Sequence, residues 1–169
     1  MKWPFVIILS GPPAVGKNTI AQRLCDEFPL KTANLDLDRI KLVVPNAPST
    51  DYFLDLASKV GQSMLRYYLQ ADMSVIVHKA FCSFDFVKPF IDISNSFGIN
   101  YEYFKLKATL EELLIRNRAR NYYSKEEDLK RIYDIDKKYT HVKGIEIDTM
   151  VNGIDGTVKI ILDYIRVTK

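Results

Sequence analysis

The chain is poor in the residues that build metal centres and disulfide scaffolds. Its 169 residues include only two cysteines, Cys25 and Cys82, and two histidines, His78 and His141. None of the four stands at a metal-ligand spacing, so neither a structural zinc site nor a histidine-based metal site is expected. We expect both thiols to be unpaired, as in a reducing cytosol, and a disulfide between them is the less favoured alternative.

Long apolar runs and a strong charge imbalance are also lacking. The longest apolar run near the N-terminus is Phe5–Leu9, far short of the ~20 residues that a membrane span needs, and no basic, cleavable leader pattern accompanies it. The net charge is only +3, which does not favour a nucleic acid polymer as partner. We therefore expect a cytoplasmic globular protein without a membrane partner, and the sequence does not indicate its oligomeric state.

Short β-type runs alternate with segments of helical periodicity. The runs are Phe5–Leu9, Lys31–Leu35, Ser74–Val77, Tyr101–Leu106 and Ile145–Ile147. Helical spacing covers Lys17–Phe28, Arg39–Val44, Thr50–Gln70, Ser83–Phe97, 109–120, 124–139 and a closing segment around 158–165. This alternation indicates an α/β fold with a parallel sheet and helices on both faces. Since no repeat, linker or composition break occurs, residues 1–169 are expected to form one domain.

The segment after the first strand carries the main chemical motif. It fits G-x-x-x-x-G-K and consists of Gly11, Pro12, Pro13, Ala14, Val15, Gly16, Lys17, Asn18 and Thr19. The two glycines permit backbone angles that other residues resist, so the loop can turn its N–H groups toward one anion at a helix N-terminus. Lys17 adds a charge for the β- and γ-phosphates of a nucleotide. The alternative is an ordinary strand–helix turn with a chance Gly-Lys pair.

Two departures concern the metal. Asn18 follows the lysine, where the usual loop has a Ser or Thr whose hydroxyl binds Mg²⁺. Its amide oxygen is a weaker magnesium ligand, and Thr19 stands one residue further on. The third strand runs into His78 and Lys79 without a carboxylate, although many P-loop proteins place an Asp there. Phosphate binding is predicted, and the magnesium geometry is left open.

With this motif the chain resembles the small P-loop phosphotransferases related to nucleoside monophosphate kinases, such as shikimate kinase, gluconate kinase, chloramphenicol phosphotransferase and zeta-toxin-like kinases. The resemblance extends over nearly the whole chain and also rests on Asp38 with Pro45, on the Arg116–Arg120 cluster, and on Ile147-Asp148-Thr149. It implies a three-layer α/β/α fold with a five-stranded parallel sheet in the order 2-3-1-4-5. It also implies ATP and Mg²⁺ as cofactors and a short lid around residues 116–141.

The activity implied by the resemblance is transfer of the γ-phosphoryl group from ATP to a small hydroxylated acceptor. The acceptor could itself be a nucleoside or a nucleotide. A nucleotide-binding regulatory protein without turnover is the alternative, which the two departures at the metal site motivate.

The acidic candidates follow the second strand. Asp36 and Asp38 fall at the carboxyl edge of the sheet, where open parallel sheets bind ligands. We predict that Asp38 orients the acceptor hydroxyl and accepts its proton. Asp36 is predicted to hold Mg²⁺ together with Asn18, and also to contact the acceptor, as are Asp38, Arg39 and His78. The alternatives are a helix cap or a solvated carboxylate for the two acids, and a hydrogen-bonded structural role for the histidine.

The arginine cluster follows the fourth strand. Arg116 and Arg120 share one helix face, and guanidinium groups stack on rings and bind phosphate oxygens. The resemblance implies that Arg116 lies against adenine and that Arg120 reaches the phosphates from the lid, whereas Arg118 points elsewhere; a basic helix end is the alternative. The exit of the last strand, with Asp148 and Thr149, is predicted to lie beside the adenine and to contact the nucleotide. The predicted catalytic residues are thus Lys17, Asp38 and Arg120.

Overall fold

The sheet is parallel throughout. The computed structural model describes residues 3–45, 50–120, 124–138 and 143–167 of the chain. Its strands are Val6–Ser10 (β1), Thr32–Asp36 (β2), Ser74–His78 (β3), Tyr101–Lys107 (β4) and Ile145–Asp148 (β5). They pair in the order β2-β3-β1-β4-β5. The predicted α/β/α fold and its strand order are confirmed.

Helices connect the strands. They are Lys17–Asp26 (α1), Leu37–Leu42 (α2), Asp51–Gln70 (α3), Phe84–Ser96 (α4), Leu110–Arg118 (α5), Glu126–Lys138 (α6) and Thr149–Val167 (α7). All begin and end close to the predicted segments except the last, which starts nearer to β5 than its periodicity indicated. Gly153 has φ 61° and ψ −171°, so α7 consists of a first turn and a longer helix that meet at this residue.

The sheet separates two apolar clusters. Ile7 and Leu9 of β1 belong to the cluster shared with α1 and α7, whereas Val6 and Ile8 belong to the cluster shared with α3 and α4. Every residue of β1 is buried, as expected for a central strand that is covered on both faces. The strand therefore delivers its carboxyl end to a fixed position between the two helical layers.

Three further expectations can be compared with the structure. Cys25 and Cys82 are both free thiols, as predicted. Among the described helices, none is long and apolar enough to cross a membrane. The predicted lid begins at the end of α5 and includes α6, but its residues 121–123 and 139–142, including His141, lie outside the described ranges.

Candidate active site

The loop between β1 and α1 has the backbone angles of an anion nest. Gly11, Ala14 and Gly16 have φ values of 139°, 68° and 106°. A Cβ atom on Gly11 would lie 2.3 Å from the backbone oxygen of Leu106 in β4, so only glycine fits against this strand. The loop is therefore curled tightly at the end of the sheet.

Most N–H groups of this loop remain available. The N–H of Val15 donates to the carbonyl of Pro12 at 3.4 Å. Within the described residues, no protein acceptor is found for the N–H groups of Ala14, Gly16, Lys17 and Asn18. These groups stand at the start of α1, where unsatisfied amides and the helix dipole favour an anion. The loop thus has the geometry that phosphate binding needs, and phosphate binding at these residues stays a prediction.

Lys17 is buried beneath this loop. Its Nζ donates to the carbonyl oxygens of Gly11 at 2.7 Å and Pro12 at 2.9 Å. Burial lowers the pKa of Lys17 to about 8, and the charge of Asp38 opposes this shift. The ammonium therefore lacks an adjacent anion that fully compensates its burial, and phosphate oxygens would supply one.

Asp36 connects the phosphate loop to α2. Its Oδ1 accepts hydrogen bonds from the backbone N–H groups of Asp38 at 3.0 Å and Arg39 at 3.4 Å, and so caps the N-terminus of α2. Its Oδ2 accepts from Asn18 Nδ2 at 2.7 Å and lies 3.5 Å from Arg39 Nε. The helix-cap alternative is therefore the one that the structure shows for Asp36, and Arg39 pairs with this carboxylate.

The same contacts bear on magnesium. Asn18 directs its amide nitrogen at Asp36, which leaves its oxygen as the atom that could bind a metal. One or two protein oxygens combined with nucleotide phosphates are a sufficient donor set for Mg²⁺, so Asn18 and Asp36 fit the ion. The described residues contain no group of three or more His, Cys, Asp or Glu side chains suited to a metal. The magnesium assignment of Asn18 and Asp36 stays a prediction.

Asp38 stands exposed at the start of α2. Of all carboxylates, it acts most strongly on Lys17, and its charge also acts on His78 and Lys79. Its carboxylate makes no ion pair or hydrogen bond with the described residues. The group predicted as the base is thus available beside the phosphate loop.

His78 has a structural environment. Its ring is 1% exposed, and its Nε2 lies 2.8 Å from Asn34 Oδ1. Burial, reinforced by the charge of Lys17, lowers the pKa of His78 to about 4, so the ring is neutral near pH 7. Because the ring offers almost no surface to an acceptor, the predicted substrate contact is corrected to the hydrogen-bonded structural role.

The guanidinium of Arg116 is tied at both ends. Its Nε donates to Glu112 at 2.7 Å and its Nη1 to Thr149 Oγ1 at 3.0 Å. These contacts hold it between α5 and the start of α7, the side of the loop where the resemblance implies adenine.

The other two arginines differ. Arg118 pairs with Glu126 at 2.7 Å on the surface, as the expectation that it points elsewhere requires. The guanidinium of Arg120 forms no hydrogen bond or ion pair with the described part of the chain, and only its backbone N–H donates, to the carbonyl of Asn117 at 3.3 Å. Burial and the charge of Arg116 lower the pKa of Arg120, and Arg120 in turn acts on Lys17. It is therefore the arginine available to a phosphate.

The side chains of Asp148 and Thr149 form hydrogen bonds within the protein. Asp148 Oδ1 accepts from the backbone N–H groups of Met150 at 2.8 Å and Val151 at 3.3 Å, which caps α7. Thr149 is 1% exposed and donates to the carbonyl of Lys107 at 3.3 Å. A nucleotide contact at these two residues would therefore involve their backbone, and it stays a prediction.

The sequence did not predict a buried ion pair near the start of the phosphate loop. Asp136 of α6 is 8% exposed. Its Oδ2 lies 3.3 Å from Lys105 Nζ, and the same Nζ donates to the backbone carbonyl of Asp136 at 2.6 Å. Burial raises the pKa of Asp136, and Lys105 opposes this shift. Lys105 stands opposite Ser10, the last residue of β1. No motif signals this pair, because it joins β4 to a helix inside the predicted lid, about 30 residues further along the chain.

Asn117 was also missed. This side chain is fully buried; its Nδ2 donates to the carbonyl of Ser124 at 2.7 Å, and its Oδ1 accepts from the N–H of Ser124 at 3.0 Å. The pair of bonds joins the end of α5 to Ser124, two residues before the start of α6. An amide among the arginines of a helix end is the only trace of it in the sequence.

Comparisons with known proteins bear on the fold. A family model described as AAA domain matches residues 6–140. The structure of APE1195 is 22% identical with a TM-score of 0.75, covering 99% of this chain and 98% of that one. A sugar kinase from Janibacter sp. is 14% identical with a TM-score of 0.71, covering 97% and 95%. The APS kinase CysC of Mycobacterium tuberculosis in complex with AMPPNP and APS is 13% identical with a TM-score of 0.70, covering 98% and 99%.

These likenesses show the fold that the chain shares with P-loop kinases. No curated protein matches the sequence.

Proposed function

We propose that this chain, which belongs to the AAA domain family of P-loop proteins, is a kinase that transfers the γ-phosphoryl group of ATP to a small hydroxylated acceptor. One observation carries the proposal: the carboxylate of Asp38, unpaired among the described residues, stands two residues after Asp36, and Asp36 contacts Asn18 at the end of a phosphate loop with available N–H groups. A phosphate site needs no acid of this kind for binding alone, whereas transfer to an alcohol benefits from one.

The loop and Lys17 hold the phosphates. The N–H groups at the start of α1 bind the β- and γ-phosphate oxygens, and Lys17 exchanges its two carbonyl partners for these oxygens. Arg120 adds a second cation that offsets charge developing on the transferred group. Asn18 and Asp36 would hold Mg²⁺, which would supply neutralisation of the phosphate charge.

Asp38 acts on the acceptor. Its carboxylate accepts a hydrogen bond from the acceptor hydroxyl, which aligns that oxygen with the γ-phosphorus. As the new O–P bond forms, the bond between the γ-phosphorus and the β–γ bridging oxygen breaks, ADP leaves, and the hydroxyl proton passes to Asp38. Asp36 supports this step by capping α2, which holds Asp38 in place.

ADP release tests the proposal. The purified chain is assayed with ATP and Mg²⁺ against a panel of sugars, polyols, nucleosides and nucleotides. We expect acceptor-dependent ADP release, and we expect Lys17→Ala to remove it and to weaken ATP binding, since each lost phosphate-stabilising donor costs about 10²–10³-fold in rate. Release that does not depend on an acceptor, or that survives in Lys17→Ala, contradicts the proposal.

A second candidate is a nucleotide-binding regulator without turnover. Two departures at the metal site favour it, since Asn18 stands where the usual loop has a hydroxyl and β3 runs into His78 and Lys79 without a carboxylate. Calorimetric titration with ATP, with and without Mg²⁺, separates the candidates. Binding that ignores Mg²⁺, combined with no ADP release on any acceptor, supports the regulator.

A further inference from the structure

Lys79 is a cation at the carboxyl edge that the phosphate chemistry leaves unused. Its backbone N–H donates to the carbonyl of Leu9 at 3.3 Å, so the chain leaving β3 passes across the end of β1 at the phosphate loop. The next residues are anchored as well, because the N–H of Phe81 donates to Ser10 Oγ at 3.3 Å. The position of Lys79 is therefore fixed relative to the loop.

The side chain of Lys79 is half-buried and has no compensating anion. Across the described ranges, its ammonium forms no ion pair or hydrogen bond. The titratable groups that act on it are Asp38, Lys41 and Cys82. Burial lowers the pKa of Lys79, Asp38 opposes this, and Lys41 adds to it. Burial also raises the pKa of Cys82, so its thiol is neutral at pH 7.

Asp38 and Lys79 follow the paired ends of two neighbouring strands. Asp36, the last residue of β2, lies opposite His78, the last residue of β3, so both charged residues leave the sheet at the same edge. Their side chains form no ion pair with one another. Partly buried charges are normally paired, because desolvation without a partner costs free energy. Two opposite, unpaired charges on separate elements can bind a ligand that carries a hydroxyl for one and an anion for the other.

We propose that Lys79 binds an anionic group of the acceptor, so that the acceptor is a hydroxylated compound that also carries a phosphate or carboxylate. This inference rests on the proposed kinase function and deepens it. Asp38 selects the hydroxyl that reacts, and Lys79 selects the charge of the molecule that bears it. Arg39 differs from Lys79, since its Nε lies 3.5 Å from Asp36 Oδ2.

Matched acceptors test the inference by turnover. The pairs are glycerol with glycerol 3-phosphate, ribose with ribose 5-phosphate, and glucose with gluconate. We expect kcat/KM to favour the anionic member of a pair, and Lys79→Met to lower it for that member by about tenfold to hundredfold, the worth of a charge-assisted contact. The neutral member should be unaffected, and Lys79→Arg should restore part of the loss. A preference for neutral members, or an equal loss on both, overturns the inference.

A binding measurement keeps the inference testable without turnover. The chain is saturated with AMPPNP, treated with a lysine-acylating reagent, and read by mass spectrometry at the Lys79 peptide. Lys59, an exposed lysine on α3 that pairs with Asp55, is the control residue. We expect glycerol 3-phosphate, ribose 5-phosphate or gluconate to protect Lys79 and not Lys59, and their neutral partners to protect neither.

Equal protection within every pair, or none, overturns the inference. Selective protection of Lys79 without ADP release on any acceptor would leave the anion site standing and refute the kinase proposal.

Discussion

One carboxylate, Asp36, joins three parts of the site. It caps α2, accepts from Asn18 in α1 and lies 4.0 Å from the Nδ1 of buried His78 in β3. At 8% exposure, its charge is compensated by these donors and by Arg39. The neighbouring Asp38 has the opposite situation, being exposed and unpaired among the described residues. Two acids two residues apart thus have different environments, and we propose a positioning role for Asp36 and a chemical role for Asp38.

The first residue-scale prediction concerns Asp38. Asp38→Asn keeps the shape of the side chain and removes its basicity. We expect kcat for acceptor phosphorylation to fall by about 10²–10⁴-fold, the usual contribution of a general base, while the Kd for ATP stays close to that of the wild type.

Its control is Asp92→Asn, which alters an exposed acid on α4 that pairs with Lys88 and should leave kcat unchanged. Steady-state kinetics and calorimetry provide both measurements. An unchanged kcat in Asp38→Asn refutes the role of this residue.

The second residue-scale prediction concerns pH. The folded chain holds the pKa of His78 at about 4, below its ordinary value of 6.5, so the unfolded chain binds more protons between these two pH values. The free energy of unfolding should therefore fall as pH drops from 6.5 through 4, by about 3 kcal/mol from this residue. Above pH 6.5 the residue should add no pH dependence.

Chemical denaturation at a series of pH values checks this sign and window. His78→Gln keeps an amide that can donate to Asn34 and does not titrate. We expect its stability to decline less than that of the wild type between pH 6.5 and 4, and parallel curves for the two proteins would refute the assignment.

At the scale of elements, the position of α2 depends on close packing against α3. A Cβ atom on Gly61 of α3 would lie 2.3 Å from Cδ2 of Leu37, whose side chain is itself 1% exposed. If α2 and α3 were to separate, the start of α2, where Asp38 stands, would be displaced. The approach of these two helices thus helps to fix the position of α2, which carries Asp38.

A pair of glycine substitutions tests this packing. Gly61→Ala should lower the free energy of unfolding by about 1–3 kcal/mol, the cost of overpacking a filled interior, and should also lower kcat. The comparison variant is Gly156→Ala in α7, where the new Cβ would lie an acceptable 3.4 Å from Asn152 Cβ. It should raise the free energy of unfolding by up to about 1 kcal/mol through helix propensity. Urea denaturation of both variants gives the comparison, and a stable Gly61→Ala contradicts the packing argument.

At the scale of the whole molecule, nucleotide binding should stabilise the fold. The phosphate loop connects β1 to α1, and Gly11 lies so close to Leu106 of β4 that an added Cβ would be 2.3 Å from its backbone oxygen. The loop therefore exists only when these three elements are assembled. A ligand that binds only the folded state stabilises it by about 2.7 kcal/mol at a hundred times its Kd.

Thermal unfolding measures this linkage. We expect ATP with Mg²⁺ to raise the melting temperature of the wild type and to have a smaller effect on Lys17→Ala at the same concentration. An equal rise in both proteins would show that the nucleotide binds elsewhere.

The sequence by itself determined the features whose causes are local. The buried run before Gly11, the two glycines and the amphipathic α1 predicted the phosphate loop, because strand, turn and helix are each dictated by nearby residues. Alternation of runs and helices predicted a parallel sheet, and resemblance supplied its strand order. Tertiary structure alone decided which polar groups meet at the carboxyl edge. In the folded chain His78 is hydrogen-bonded to Asn34, Asp36 accepts a hydrogen bond from Asn18, and Lys105 forms an ion pair with Asp136. These pairings join residues from separate elements, so they exist only once the strands align and the helices pack across the sheet.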